Sequence, residues 1–181
     1  MATTVLLRRP VAQDLDALVM IFAEPAVAPW WPRYDRERIE REFVVGDDED
    51  TTVYVIEVGG KVAGIIQSWE ETDPEYRHAG IDVGIATAWH GQGVATAAIR
   101  ALARRLVVEV GHHHLTIDPA VANARAIACY RKIGYHEVGV LRSNEMSADG
   151  TFRDTLLMDM LAGDLILDGP IAEIVDRGRP A

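Results

Sequence analysis

The sequence lacks several features that mark particular classes of protein. It contains one cysteine, Cys129, so an internal disulfide and a thiolate zinc cluster are both excluded. No run of apolar residues approaches the roughly 20 that are needed to span a bilayer, and the first residues have neither the basic patch nor the apolar stretch of a signal peptide. We therefore expect a cytoplasmic protein that does not associate with a membrane.

Basic residues are also scarce. Lys and Arg number 18 against 28 Asp and Glu, which gives a formal net charge of −10. Because phosphate binding draws on clustered Lys and Arg, nucleic acid is not an expected partner. An acidic chain attracts cations, although solubility alone also explains a charge of this sign. A small cationic substrate is therefore one expectation, and it needs further evidence.

The order of predicted elements indicates the fold class. The 181 residues suit one domain with a sizeable core. Apolar periodicity and turn residues predict strands over 5–8, 52–58, 61–69, 80–86, 113–117, 135–141 and 152–160. The same signals predict helices over 13–23, 36–45, 94–110 and 124–133, with Arg100, Arg104 and Arg105 on the outer face of the third. This order predicts an α/β or α+β domain around one mixed sheet.

The regions between and after these elements carry their own signals. Three prolines within residues 24–32 predict an irregular loop, and Gly59-Gly60 predicts a tight hairpin. We assign residues 1–161 to the domain and residues 162–181 to a C-terminal extension, in which a short apolar patch has a helix-like pattern.

A short segment before the third predicted helix is the first candidate site. It reads His90-Gly91-Gln92-Gly93-Val94-Ala95. The first turn of a helix has unpaired N–H groups and the positive end of the helix dipole, so it can bind phosphate. Glycine and small side chains let the backbone approach such a ligand closely. Two glycines are equally compatible with a tight turn that merely enters a helix.

A second segment makes the first one informative. Residues 123–135 read Asn-Ala-Arg-Ala-Ile-Ala-Cys-Tyr-Arg-Lys-Ile-Gly-Tyr. Together the two segments resemble the signatures of the Gcn5-related N-acetyltransferase superfamily, Arg/Gln-x-x-Gly-x-Gly/Ala and Asn-x-x-Ala-x-x-x-Tyr-x-x-x-Gly-Phe/Tyr, with His90 in the Arg/Gln place. The resemblance extends to about Met160. It implies a mostly antiparallel sheet, splayed open and flanked by helices, that admits acetyl-CoA as co-substrate.

The resemblance also assigns roles at the site. It implies direct transfer of the acetyl group to an amine, so Cys129 is not needed as a nucleophile. Asp82, between apolar neighbours on a predicted strand, is either a satisfied structural aspartate or a base or anchor for the amine. Tyr130 matches the family tyrosine that protonates the leaving thiolate. The implied cofactor-binding residues are Val83, Gly84, Ile85, His90, Gly91, Gln92, Gly93, Val94, Ala95, Thr96, Asn123 and Ala126.

Short segments of the sequence indicate which kind of amine would accept the acetyl group. Residues 64–74, 80–82 and 116–119 and the pair Trp30-Trp31 resemble those of aminoglycoside 6′-N-acetyltransferases, which confer antibiotic resistance. The resemblance implies a substrate pocket formed by Trp30, Trp31, Gln67, Trp69, Glu70, Asp82 and Asp118. Carboxylates suit ammonium groups, and aromatic rings suit cations and sugar faces. Each feature also has a structural interpretation: a solvated strand end for Glu70, core packing for the tryptophans and a turn for Asp118.

Three functions follow as hypotheses. The first is acetyl transfer from acetyl-CoA to the 6′-amine of an aminoglycoside. The second is acylation of a lysine, polyamine or protein amine, and the third is a non-catalytic protein that binds acyl-CoA or an aminoglycoside. No metal is expected, because adjacent residues of a strand such as His112, His113 and His114 point to alternate faces. We expect a monomer or a homodimer.

Overall fold

The computed structural model describes residues 4–46 and 48–175. In that part of the chain the strands are β1 (Val5–Arg8), β2 (Thr51–Val58), β3 (Lys61–Glu71), β4 (His78–Ile85), β5 (His114–Ile117), β6 (His136–Met146), β7 (Phe152–Leu161) and β8 (Glu173–Val175). The helices are α1 (Leu15–Phe22), α2 (Arg36–Ile39), α3 (Val94–Arg104) and α4 (Ala124–Arg131). Helices α2 and α3 continue as π-helical turns over Glu40–Val45 and Arg105–Val110.

The strands form one open sheet in the order β6-β7-β5-β4-β3-β2-β1-β8. The pairs β4–β5 and β1–β8 are parallel, and the other five are antiparallel. The expectation of a single mixed, mostly antiparallel sheet flanked by helices is confirmed. Within this sheet, the Gly59-Gly60 turn joins β2 to β3 as the sequence predicts.

Apolar residues on the two faces of the sheet form separate cores. One face packs against α3 and α4 and buries side chains such as Tyr54, Ile66 and Leu102. The other face packs against α1 and α2 and buries Leu18 and Phe43. Alternation along β2 and β3 sends successive side chains to opposite cores, because neighbouring residues of a strand point to opposite faces. The sheet is therefore covered on both sides at its centre.

One prediction about α3 is wrong. Arg100 was expected on the outer face with Arg104 and Arg105, but it is only 7% exposed. Its guanidinium donates hydrogen bonds to the carbonyl oxygens of Ile166 (3.0 Å), Pro170 (3.3 Å) and Lys132 (3.4 Å). Three backbone acceptors compensate the burial of this charge. The residues after β7 lie along α3 and cover a face that the helical pattern alone leaves open.

The segment after β7 also differs from its predicted helix-like pattern. It forms a 3₁₀ turn over Ala162–Asp164 and then runs extended. The Ile166 amide bonds to the Ile133 carbonyl, and the Ala172 amide bonds to the Ala97 carbonyl. The segment ends as β8, which pairs in parallel with β1. Apolar residues in this segment therefore serve contacts with α3, α4 and β1.

No helix in residues 4–46 and 48–175 is long and apolar enough to cross a bilayer.

Candidate active site

The sheet opens between β4 and β5. These parallel strands pair at only two positions, Ala79 with Leu115 and Gly80 with Thr116. Beyond them the strands diverge, while β4 stays paired with β3 as far as Ile85. A cavity of about 530 Å³ lies in and around the gap. The splayed sheet that the family resemblance implies is therefore present, and it exposes part of the β4 edge to the cavity.

The cavity has two kinds of wall. The helix side consists of His90, Ala95, Asn123, Arg125, Ala126, Cys129 and Tyr130. The carboxylate side consists of Trp30, Gln67, Asp82, Asp118, Glu145 and Arg153. Val83, Gly84 and Ile85 of β4 also line the cavity. Most of the residues predicted to bind a cofactor or an amine are thus brought to one cavity from distant parts of the chain.

On the helix side, the predicted phosphate turn leads into α3. Gly91 and Gly93 have φ values of +74° and +79°, which a residue with a side chain rarely adopts, and a Cβ built on either would meet nothing within 4 Å. The Gly93 carbonyl accepts the Ala97 amide, so the amides that precede Ala97 lie before the first bond of this helix. This geometry leaves an open helix N-terminus that is suited to a phosphate.

His90 is held by two contacts at this turn. Its Nε2–H donates to the Ile85 carbonyl at 2.9 Å, and its Nδ1 contacts the guanidinium of Arg125. These contacts suit a neutral imidazole that accepts from Arg125 through Nδ1. His90 therefore ties the end of β4 to the first turn of α4. Thr96 lies in the first turn of α3, where its hydroxyl is 3.2 Å from the Cys129 sulfur.

Helix α4 begins as the sequence predicts. The Asn123 side chain accepts a hydrogen bond from the Ala126 amide at 3.2 Å and caps the helix. Two turns later Tyr130 is 6% exposed and lines the cavity. Burial raises the pKa of its hydroxyl well above the usual value, and the charge of Asp82 adds to the effect. Burial likewise raises the pKa of the Cys129 thiol, so Cys129 lacks the thiolate character of a nucleophile.

Asp82 lies on the carboxylate side, half-buried on β4. It stands opposite Gln67 of β3, whose amide donates to its Oδ2 at 3.2 Å. Burial raises the pKa of Asp82 to about 6; the hydrogen bond from Gln67 opposes this rise, and the charges of Asp118 and Glu145 add to it. A carboxyl with such a pKa can be ionised near neutral pH and still accept a proton.

Two more carboxylates lie near Asp82. Asp118 follows β5 and accepts hydrogen bonds from the Asn144 amide (2.9 Å) and the Thr155 hydroxyl (3.4 Å). Burial, together with the charge of Glu145, raises its pKa. Glu145 is paired with Arg153 through two contacts of 2.8 and 2.7 Å. In the part of the chain that the structure describes, the carboxylate side therefore presents one carboxylate that is ion-paired with an arginine and two, Asp82 and Asp118, that accept hydrogen bonds from neutral side chains.

The two neighbouring tryptophans have different surroundings. Trp31 packs edge-on against Phe22 and Tyr34, with ring centroids 5.1 Å apart in both cases. Trp30 lies under the guanidinium of Arg153, 5.4 Å from its ring centroid. Both line the cavity. Trp31 therefore combines core packing with cavity lining, and Trp30 belongs to the cavity wall.

Trp69 and Glu70 do not line the cavity. Trp69 stands opposite Gly80, and its ring lies over this glycine, edge-on to His78 at 5.1 Å. Glu70 points to the other face of the sheet and binds the buried His112 at 2.7 Å. The register of β3 therefore places both residues outside the cavity lining, and their contact with an amine stays a prediction.

Five of the residues predicted to bind a cofactor lie at the start of α3, beside the cavity rather than in its lining. They are Gly91, Gln92, Gly93, Val94 and Thr96. Among the three histidines, His112 is buried, His113 is exposed and His114 lies 3.4 Å from Asp159. Their side chains do not converge.

Sequence reasoning missed several lining residues, above all Asn144, Glu145 and Arg153. Strand β6 was predicted to end at residue 141 but continues to Met146 through an irregularity between Leu141 and Glu145. Ser143 within it has a φ of +49°. A bulge turns the strand and re-aims the following side chains. The Ser-Asn pair reads as a turn in the sequence, so no local signal distinguished a bulged strand from a loop.

The arrangement suits acyl transfer between two molecules that meet in the gap. The open helix N-terminus and the β4 edge can hold a phosphorylated, extended donor, since backbone amides bind phosphate and free strand edges bind amide groups. Asp82 can take a proton from an attacking amine, and Tyr130 can return one to a leaving group. These positions suit a transferase site, with three carboxylates on the side of the cavity away from α3 and α4.

Comparisons with known proteins agree with this description. Residues 4–136 match the family model described as acetyltransferase (GNAT) domain. The chain is 30% identical over 156 residues to the aminoglycoside N(6′)-acetyltransferase type 1 of Klebsiella pneumoniae, covering 76% of this chain and 77% of that relative. Its structure resembles that of AAC(6′)-Ib in complex with paromomycin and acetyl-CoA, with a TM-score of 0.71 and 26% identity over 87% of this chain and 93% of the other.

A second structural likeness concerns the fold alone. Spermidine N-acetyltransferase from Vibrio cholerae, in complex with CoA and spermine, has a TM-score of 0.76 at 20% identity and covers 89% of this chain and 97% of its own. With the family model matched over most of its length, the chain belongs to the GNAT acetyltransferase family. The expectation of an acetyl-CoA-dependent N-acetyltransferase is confirmed by this membership.

Proposed function

We propose that this enzyme transfers the acetyl group of acetyl-CoA to the 6′-amine of an aminoglycoside. The observation that most strongly supports this proposal is the position of Asp82. This carboxyl has a pKa of about 6 and lies on the open edge of β4, in a cavity that is also lined by Asp118. An aminoglycoside is a polycation with sugar faces, which carboxylates and tryptophans bind well. The aminoglycoside N(6′)-acetyltransferases among the relatives support the same choice of acceptor.

On the donor side, residues of the helix side would hold acetyl-CoA. The amides at the start of α3, where Gly91 and Gly93 leave open space, would bind the pyrophosphate. Val83, Gly84 and Ile85 would bind the pantetheine arm along the free edge of β4, and Asn123 and Ala126 would bound it from α4. His90 contributes by fixing the end of β4, rather than by touching phosphate through a charge.

On the acceptor side, Asp82 would take the proton from the 6′-ammonium group, directly or through water, so that the amine nitrogen can attack the thioester carbonyl. A bond forms between nitrogen and the acetyl carbon, and the carbon–sulfur bond then breaks. Tyr130, which its raised pKa keeps protonated at neutral pH, would donate its hydroxyl proton to the leaving thiolate and regain a proton from water. The nitrogen would lose its second proton to water, so that the products are a neutral amide and the free thiol. Asp118 and the rings of Trp30 and Trp31 would bind the rest of the sugar.

The test is a turnover panel in which free thiol is measured and the product is identified by mass spectrometry. We expect turnover with kanamycin and tobramycin, and none with a matched aminoglycoside that carries a hydroxyl in place of the 6′-amine. Asp82→Asn should lose activity, whereas Asp16→Asn should not, because Asp16 is an exposed carboxylate on α1 that pairs with Arg36. Turnover of spermidine or a lysine derivative without turnover of any aminoglycoside would refute the proposed acceptor.

A further inference from the structure

Arg153 joins two parts of the chain that form the acceptor end of the cavity. It lies on β7 and forms a two-point ion pair with Glu145 on β6. The same guanidinium donates to the carbonyl oxygen of Pro29 and covers the ring of Trp30. Its side chain is 19% exposed. One residue thus contacts both the β6–β7 hairpin and the loop of residues 24–32, although Arg153 and Pro29 are 124 positions apart in the sequence.

The rest of this loop is fixed elsewhere. At its beginning, the Glu24 carboxylate accepts hydrogen bonds from the amide and hydroxyl of Thr87. Near its end, Trp31 packs into the aromatic cluster of the α1–α2 core. The backbone bonds inside the loop are short-range turns, such as Trp30 N–H to the Val27 carbonyl. The section around Trp30 contacts the other wall of the cavity through Arg153, and directly after the loop the Arg33 guanidinium contacts the Met146 sulfur of β6.

We propose that Arg153 is a positioning residue that holds Trp30 against the β6–β7 hairpin and so completes the acceptor wall. This inference rests on the proposed function in placing the amine substrate at that wall. It also explains why an arginine lies beside the carboxylates of this wall. A guanidinium can bind a carboxylate at two points, a carbonyl and a ring face at the same time, whereas a lysine ammonium cannot.

A purely electrostatic role makes the opposite prediction. If Arg153 acted only as a positive charge, its removal would free Glu145 and strengthen the binding of a polycation. If Arg153 positions Trp30, its removal loosens the wall and weakens that binding. The sign of the change in KM for the aminoglycoside therefore separates the two roles, and the KM for acetyl-CoA, which would bind on the helix side, serves as an internal reference.

The experiment compares Arg153→Met and Arg153→Lys with Arg142→Met, a matched control because Arg142 is an exposed arginine on the same hairpin. Hydrogen–deuterium exchange of the loop is measured first, without substrate. We expect faster exchange over residues 27–31 in Arg153→Met, an intermediate rate in Arg153→Lys and no change in the control. In kinetics, Arg153→Met should raise the aminoglycoside KM about tenfold, with kcat and the acetyl-CoA KM within about twofold.

Unchanged loop exchange in Arg153→Met, or a fall in its aminoglycoside KM, would overturn the inference. The exchange measurement needs no acceptor, so it decides the role of Arg153 even if the turnover panel identifies another amine. Conversely, a loosened loop with no aminoglycoside turnover in the wild-type enzyme would support the positioning role and refute the proposed acceptor.

Discussion

Replacing Asp82 with asparagine should stabilise the enzyme while inactivating it. The two side chains have nearly the same shape, and the asparagine oxygen can still accept the hydrogen bond from Gln67. What the replacement removes is a carboxyl whose pKa is raised from 3.8 to about 6, mainly by burial. A raised pKa means that the folded state disfavours the ionised form, so Asp82 lowers the free energy of unfolding wherever it must ionise.

The magnitude follows from the pKa difference. At 1.36 kcal/mol per pH unit, ionising this carboxyl in the folded enzyme costs up to about 3 kcal/mol at neutral pH. Part of the carboxylate faces the solvent-connected cavity, so we expect about 1–3 kcal/mol. The penalty is nearly absent below pH 4, grows as pH rises from about 4 to about 6, and is then constant. For a chain of this length each kcal/mol changes Tm by about 2–4 °C.

The assay is thermal unfolding of the wild-type and Asp82→Asn proteins at pH 4 and pH 7. The variant should melt higher at pH 7, and the gap should shrink to a few tenths of a kcal/mol at pH 4. In parallel, kcat/KM of the wild-type enzyme should rise through a midpoint near pH 6, and the variant should lose about a hundredfold or more in kcat/KM. An equal Tm difference at both pH values would refute the argument from burial.

Three further predictions concern other positions. Tyr130→Phe should lower kcat about tenfold or more with little change in the KM for acetyl-CoA, whereas Tyr135→Phe, which removes a buried hydroxyl without a partner in the described residues, should leave steady-state rates unchanged. Gly64→Ala should lower the free energy of unfolding, measured in urea, by at least about 2 kcal/mol, because its Cβ would lie 2.0 Å from a carbonyl oxygen of β4. Gly139→Ala on β6, where the Cβ meets nothing within 4 Å, should leave the free energy of unfolding nearly unchanged. Arg100→Met should lower stability by about 2–4 kcal/mol, since three backbone carbonyls lose a charged donor, and proteolysis should then cut first between residues 162 and 175.

Much of the fold could be predicted because its signals are local. Helical spacing, strand-favouring residues, the Gly59-Gly60 turn and the Asn123 cap all act between near neighbours. The seven predicted strands and the four predicted helices are present, whereas the helix-like pattern after β7 is not a helix. The bulge in β6 could not be predicted, because its cost is compensated by a tertiary contact in which the Ser143 amide donates to Asp154. The burial of Arg100 likewise depends on carbonyls 32 to 70 positions away.

The sequence by itself determined the family, the mixed sheet and the helix side of the cavity, since the turn at Gly91 and Gly93 and the start of α4 are encoded in contiguous residues. Only the tertiary structure decided the carboxylate side. Side-chain alternation is fixed by strand register, which sent Glu70 to the opposite face and kept Asp82 in the gap. Arg153 is part of that wall because folding brings two distant segments of the chain together. No local sequence pattern predicts this contact.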